Sequence, residues 1–110
     1  MERWEKLIQI VKAESARFDE RDDAIIDLAE FNNNEVIEAL FNIAKNNQID
    51  IMLQASAGEV LTEIWIRNSN IDFKKLTIFT DSALNEALGL LKTHKIEWYK
   101  EFERLKTIDC

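Results

Sequence analysis

No proline occurs in this 110-residue chain, and only two residues are glycine. Those two residue types supply the preset and positive-φ backbone positions that tight turns need. A β-sandwich or small barrel turns back on itself too often to be built without them. The chain is therefore steered toward helices joined by short polar connections. A length of 110 residues is that of one domain, taken as 1–110. Apolar residues make up 46% of it, enough to build a core and too many for a disordered polyelectrolyte. There is one cysteine, Cys110, and one histidine, His94. That excludes an internal disulfide framework and a multi-cysteine zinc site, and it fits a reducing compartment.

Apolar residues recur at helical spacing almost throughout. Trp4, Leu7, Ile8, Val11 and Ser15 share one face of a first helix over about 2–15, and Arg17 to Glu20 reads as a charged connection. A second helix, about 22–31, turns Ile25, Leu28, Ala29 and Asn32 inward, with Asp19, Asp22 and Asp23 suited to capping its start. A third, about 35–46, presents Val36, Ile37, Leu40, Phe41 and Ala44. The fourth begins after Asp50, runs to about Asn68, and carries Leu53, Ala57, Val60, Leu61, Ile64 and Trp65. Gly58 inside it costs roughly 1 kcal/mol relative to alanine, so packing there is expected to demand a missing side chain. Residues 71–79 fit either a short helix or a strand; no partner strand is evident, which favours the helix. Thr80 or Asp81 caps a helix over 82–93 whose inner face is Ala83, Leu84, Ala87, Leu88 and Leu91. A last helix, about 95–107, carries Ile96, Trp98, Tyr99, Phe102 and Leu105. His94 falls at a helix end, where the dipole favours a cation. Cys110 reads as a frayed terminal thiol.

These segments echo one another. The run from Arg21 to Ala29 reappears as Leu53 to Leu61, and again as Asp81 to Leu88, at intervals of about 30 residues, the spacing of stacked helix pairs. The expected fold is all-α, about six helices in antiparallel pairs, forming a short α-solenoid or a bundle.

The segment Arg21 to Trp65 resembles a bacterial HEAT-like repeat of the short, lyase-type kind. The matching residues are the Asp23-Ala24 to Leu28 opening, the Val36 to Leu40 second helix and the run Leu53 to Trp65. The proline and arginine that often open such repeats are missing. Small acidic proteins of this style resemble the immunity proteins of polymorphic toxin systems, including those of contact-dependent growth inhibition. The resemblance implies a protein that acts by binding, with no catalytic residue, cofactor or metal.

The net charge of −7 is concentrated. Residues 14–38 hold nine acids and two bases, which already accounts for all seven negative charges. Asp23, Asp27 and Glu30 fall at i, i+4 and i+7, Glu35 and Glu38 lie one turn apart, and so do Glu59 and Glu63. Like charges at this spacing repel by about 0.2–0.5 kcal/mol per pair. Such faces either serve solubility or meet a cationic partner, whose approach the field accelerates. The partner-binding candidates are Asp22, Asp23, Asp27, Glu30, Glu35, Glu38, Glu59 and Glu63.

Other chemistries find little support. Nucleic-acid binding needs a basic stripe, and residues 92–110 net only +1. The run Asp19 to Asp23 lacks the glycine and terminal glutamate of a calcium loop. Glu59 and Glu63 could share acid–base work, but no glycine-rich loop or second group accompanies them, so no enzyme is expected. No run of apolar residues exceeds four, against the roughly 20 a membrane span needs. With no secretory signal visible at the start, the chain is expected to be cytoplasmic. The function expected is that of an immunity protein that occludes a cognate toxin domain with a basic surface, such as a nuclease. The alternative is a helical-repeat adaptor or assembly subunit. Oligomeric state is left open.

Overall fold

Helix α4 (Ile51–Asn68) is the axis of the molecule, because it is apolar around more than half its circumference. Leu53, Ala57, Val60, Leu61, Ile64 and Trp65 are all buried, as the helical spacing requires. The computed structural model describes residues 1–109, and every regular element among them is helical. The others are α1 (Arg3–Lys12), α2 (Phe18–Asp27) with a 3-10 turn (Leu28–Glu30), α3 (Asn34–Ala44), α5 (Phe73–Ile78), α6 (Asp81–His94) and α7 (Ile96–Asp109). The chain is thus an all-α bundle, with seven helices among the described residues, as its periodicity leads one to expect. Cys110 lies outside the described residues.

Around α4 pack α2, α3 and α6; α1 lies across α2 and α3, and α7 lies against α6. Directions follow from who touches whom. Asp22 of α2 meets Ser56, and Ala29 meets Arg67, so α2 and α4 run the same way. Ile51 and Gln54 sit beside Thr80 to Ser82, and Gly58 lies against Ala83, so α6 starts at the same end. The three echoing segments are therefore α2, α4 and α6, lying side by side in one layer.

Gly58 is what lets that layer close. A Cβ there would stand 2.6 Å from the carbonyl oxygen of Ala83 and 2.7 Å from its Cα. Ala83, Ala87 and Leu91 are fully buried along this contact. Thr62, also buried, satisfies its hydroxyl on the Gly58 carbonyl at 2.7 Å.

Helix ends explain most boundaries. Asp50 accepts the Met52 N–H at 2.8 Å and Thr80 accepts that of Ala83 at 3.3 Å, both at the expected caps. Asp72 caps α5 through the Lys75 N–H, so the ambiguous stretch is a helix. At the far end of α4, Ser69 takes the left-handed conformation (φ 53°), and the Asn70 N–H returns to the Trp65 carbonyl at 3.0 Å. His94 closes α6.

The charged connection from Arg17 to Glu20 is instead the start of α2. The Glu20 carboxylate accepts the Arg17 N–H at 3.2 Å, and Phe18 is exposed, so no apolar periodicity marks this first turn. Asp22 and Asp23 consequently lie inside the helix rather than at its cap. Helix α1 ends at Lys12, where Arg21 reaches the Val11 carbonyl at 3.0 Å, and Ser15 is exposed in the loop. Asn32 and Ile96 also face solvent.

Aromatic and cationic side chains hold α5 down. Phe79 stacks on Trp65 at 5.8 Å and tilts toward Phe41 at 6.4 Å. Lys75 lies 5.0 Å above the Phe41 ring and pairs with Glu38 at 3.1 Å and Asp72 at 3.6 Å. The burial of Trp65 and partial burial of Trp98 and Tyr99 make these aromatics core and rim.

The two glycines should respond oppositely to alanine. Gly58→Ala is expected to lower stability by about 2–3 kcal/mol, since backbone must move to admit the methyl. Gly89→Ala meets nothing within 4 Å on an exposed helical site and is expected to add about 0.5–1 kcal/mol. Thermal melts of the two variants check both signs.

Candidate functional site

The eight acids picked out in the sequence do not form one surface. Arg3 reaches across from α1 to Glu30 at 2.6 Å and Asp27 at 3.7 Å, so one of the two negative charges at the end of α2 is offset locally. Glu38 is taken by Lys75. Glu35 sits in the first turn of α3, where its own backbone N–H and the Asn33 side-chain amide hold its carboxyl below the usual range. Glu35 and Glu38 line one wall of a cleft of about 410 Å³ between α1 and α3, with Trp4, Ile8 and Lys12 opposite.

The remaining four behave differently. Asp22, Asp23, Glu59 and Glu63 have no lysine, arginine or histidine within 4.0 Å among the described residues. Asp23 is exposed on the outer side of α2. Asp22 is half-buried and accepts the Ser56 hydroxyl at 2.5 Å. Ser56, Glu59 and Glu63 follow one another at helical spacing up the outer stripe of α4. They line a shallow groove of about 200 Å³ with Ile26, Ala29 and Val60.

A fifth carboxylate belongs here that the sequence reading missed. Glu86 of α6 acts on Glu59 from the other side, together with Glu63 and Asp22. Its only advance signal was Gly58. A glycine that brings α6 against α4 also brings the next turn of α6 toward the outer stripe of α4.

Burial and these three like charges, in that order, raise the Glu59 carboxyl above its ordinary value. The sign of the consequence is definite. Folding raises this pKa, so the folded state binds the proton more readily, and ionised Glu59 opposes folding at neutral pH. A cation seated over the groove would remove that opposition.

Apolar groups stand beside these acids. Ile26 is 52% exposed and Met52 65% exposed, although both lie on helices with well-filled inner faces. Phe18, one turn before Asp22, is 42% exposed. A third cleft, of about 390 Å³, runs between α3, α4 and α5 past Asn34, Asn68 and Phe73, and its cation, Lys75, is already paired. Among the described residues no three potential ligands are placed to hold a metal ion, and no helix is long and apolar enough to cross a membrane. The arrangement sets uncompensated carboxylates beside exposed apolar side chains.

Comparison with protein-family models, with curated proteins and with solved structures returns no match to this chain.

Glu59→Gln removes a charge that the fold opposes. The variant is expected to melt above the parent at pH 7, by the few tenths of a kcal/mol typical of one like-charge pair. The difference should shrink as pH falls through the raised Glu59 pKa and vanish below the ordinary carboxylate value of 4.5. Melting curves across pH 3.5–8 measure it.

Proposed function

We propose that this protein neutralises a cationic protein partner by covering its working surface, and that the partner is a toxin domain, which makes the chain an immunity protein. The observation that carries the reading is the convergence of Asp22, Glu59, Glu63 and Glu86 from three packed helices without a compensating cation. Clustered carboxylates repel one another in the free protein. Docked lysines or arginines relieve that repulsion, so the charge arrangement favours the complex over the free state. The same field steers a basic partner toward the face and raises the association rate at low salt.

The chemistry of the partner follows. A domain that cleaves nucleic acid must hold a phosphate backbone, and it does so with clustered lysine and arginine. A rigid acidic face competes for those residues and blocks the substrate path by its bulk. The mechanism asks nothing of the immunity protein except shape, charge and rigidity. Bonds formed and broken play no part in it, so the residues that matter are those at the contact, with apolar anchors supplying much of the affinity.

The test is co-expression with the protein encoded by the adjacent gene. A toxic C-terminal domain there should co-purify with this chain, and growth should be protected. Replacing Asp23, Glu59 and Glu63 together by lysine should weaken the complex at least a hundredfold and abolish protection. Raising salt from about 50 to 500 mM should slow association several-fold in the parent and not in the variant. If the triple reversal leaves affinity and protection unchanged, the reading is wrong. If the chain instead enters a stable complex of non-toxic proteins, it is a helical-repeat adaptor.

A further inference from the structure

Resting on that reading, we infer that the element this surface receives is an amphipathic helix, laid along the outer stripe of α4, with its apolar side on Met52 and Ile26 and its basic side on Glu59 and Glu63. Three observations carry it. First, the groove is bounded by α2 and α4 running in the same direction, since Asp22 touches Ser56 and Ala29 touches Arg67. Two neighbouring helices with a common direction leave a groove between them along which a third helix can pack.

Second, three of the eight exposed large apolar side chains among the described residues, Phe18, Ile26 and Met52, fall along it. Phe18, Asp22 and Ile26 are successive turns of α2, and Met52, Ser56, Glu59 and Glu63 are successive turns of α4. Asp22 meeting Ser56 places Phe18 near Met52 at the start of the trough, and Ile26 lines it further along. Phe18 and Met52 thus stand at its mouth, and beyond them apolar Ile26 on the α2 wall faces Glu59 and Glu63 on the α4 wall. Phe18, Ile26 and Met52 are 42%, 52% and 65% exposed, more than their helices require.

Third, the charges have a helical pitch. Glu59 and Glu63 are one turn apart, a rise of about 6 Å, and match lysines or arginines placed at i and i+4 on an apposed helix. Met52 to Glu63 spans about 16 Å of axis, or three turns of the visitor. Charge complementarity selects the occupant: a neutral amphipathic helix would bury Glu59 and Glu63 unpaired, and a basic segment without apolar residues would leave Ile26 and Met52 uncovered.

The probe is an 18-residue leucine–lysine peptide designed as an amphipathic helix, titrated into the isotope-labelled full chain and followed by amide chemical shifts. Shifts are expected along the outer faces of α2 and α4. Oligolysine of equal charge and a shuffled peptide of the same composition should bind at least tenfold more weakly. Replacing Ile26 and Met52 by serine should cost about tenfold. Glu59→Gln with Glu63→Gln should cost about tenfold and flatten the salt dependence, while Glu97→Gln on α7 should change nothing. All these side chains are at least partly exposed, and circular dichroism melts verify that each variant is folded.

The inference is overturned if the peptide does not bind, if shifts centre on the cleft between α1 and α3, or if oligolysine binds equally well. Its failure is separable from that of the neutralisation reading. A toxin domain bound with full affinity by the Ile26, Met52 variant defeats the helix inference alone. A peptide that docks here, with no toxic neighbour bound, defeats the toxin reading alone.

Discussion

The close approach of Gly58 to Ala83 is the contact on which the rest of this structure depends. With 2.6 Å between a hypothetical Cβ and the Ala83 carbonyl oxygen, no other residue type fits without moving backbone. The missing side chain is repaid by the buried Ala83, Ala87 and Leu91, which carry α6 flush against α4. Helix α7 has its main contact with α6, so its place follows from the same point. At its N-terminal end α6 is fixed again, by the Thr80 N–H donating to the Ala44 carbonyl at 2.8 Å. One glycine thereby positions the whole C-terminal half of the layer.

It also sets the electrostatics. Glu59 is raised partly by Glu86, which reaches it only because α6 lies so close. Glu63 and Asp22 complete the effect, the first from the next turn and the second through packing of α2 on Ser56. Some acids elsewhere do have a base beside them. Arg3 serves Asp27 and Glu30, Lys75 serves Glu38 and Asp72, and Arg104 serves Glu101. Arg67 spends its guanidinium on the backbone instead, donating to the carbonyls of Ala29 and Phe31 and to the Asn32 side chain. The unpaired acids on the α2–α4 face differ in that Glu63, Glu86 and Asp22 all act on one carboxyl, Glu59, and they lie beside the exposed Ile26 and Met52.

Much of the fold was legible in the residues. The stripe Leu53, Ala57, Val60, Leu61, Ile64 and Trp65 is buried as its spacing demands, because period 3.6 in an 18-residue segment admits no other regular element. Asp50 and Thr80 announce helix starts because their side chains do locally what the helix cannot do for its own first N–H groups. The start of α2 was not legible. Its first turn is stabilised by Glu20 and exposes Phe18, so it carries none of the periodicity that marks a buried face. Half of the candidate surface was visible as helical acid pairs. Glu86 was not, because its neighbours are distant in sequence and its relevance is created by a helix–helix contact.

Sequence alone determined that this chain is helical, where its longest helix runs, that Gly58 answers to packing, and that its negative charge is unevenly spread. Those properties depend on spacings within a few turns, which backbone geometry converts directly into faces. Tertiary structure alone decided which acids remain without a partner. Asp27 and Glu30 look as available as Glu59 and Glu63 along the chain, yet Arg3 arrives at the first pair from α1, while Glu86 and Asp22 arrive at the second. A charge is neutralised or reinforced by whatever packing sets within a few ångströms of it, and in this bundle those neighbours are 24 to 37 residues away.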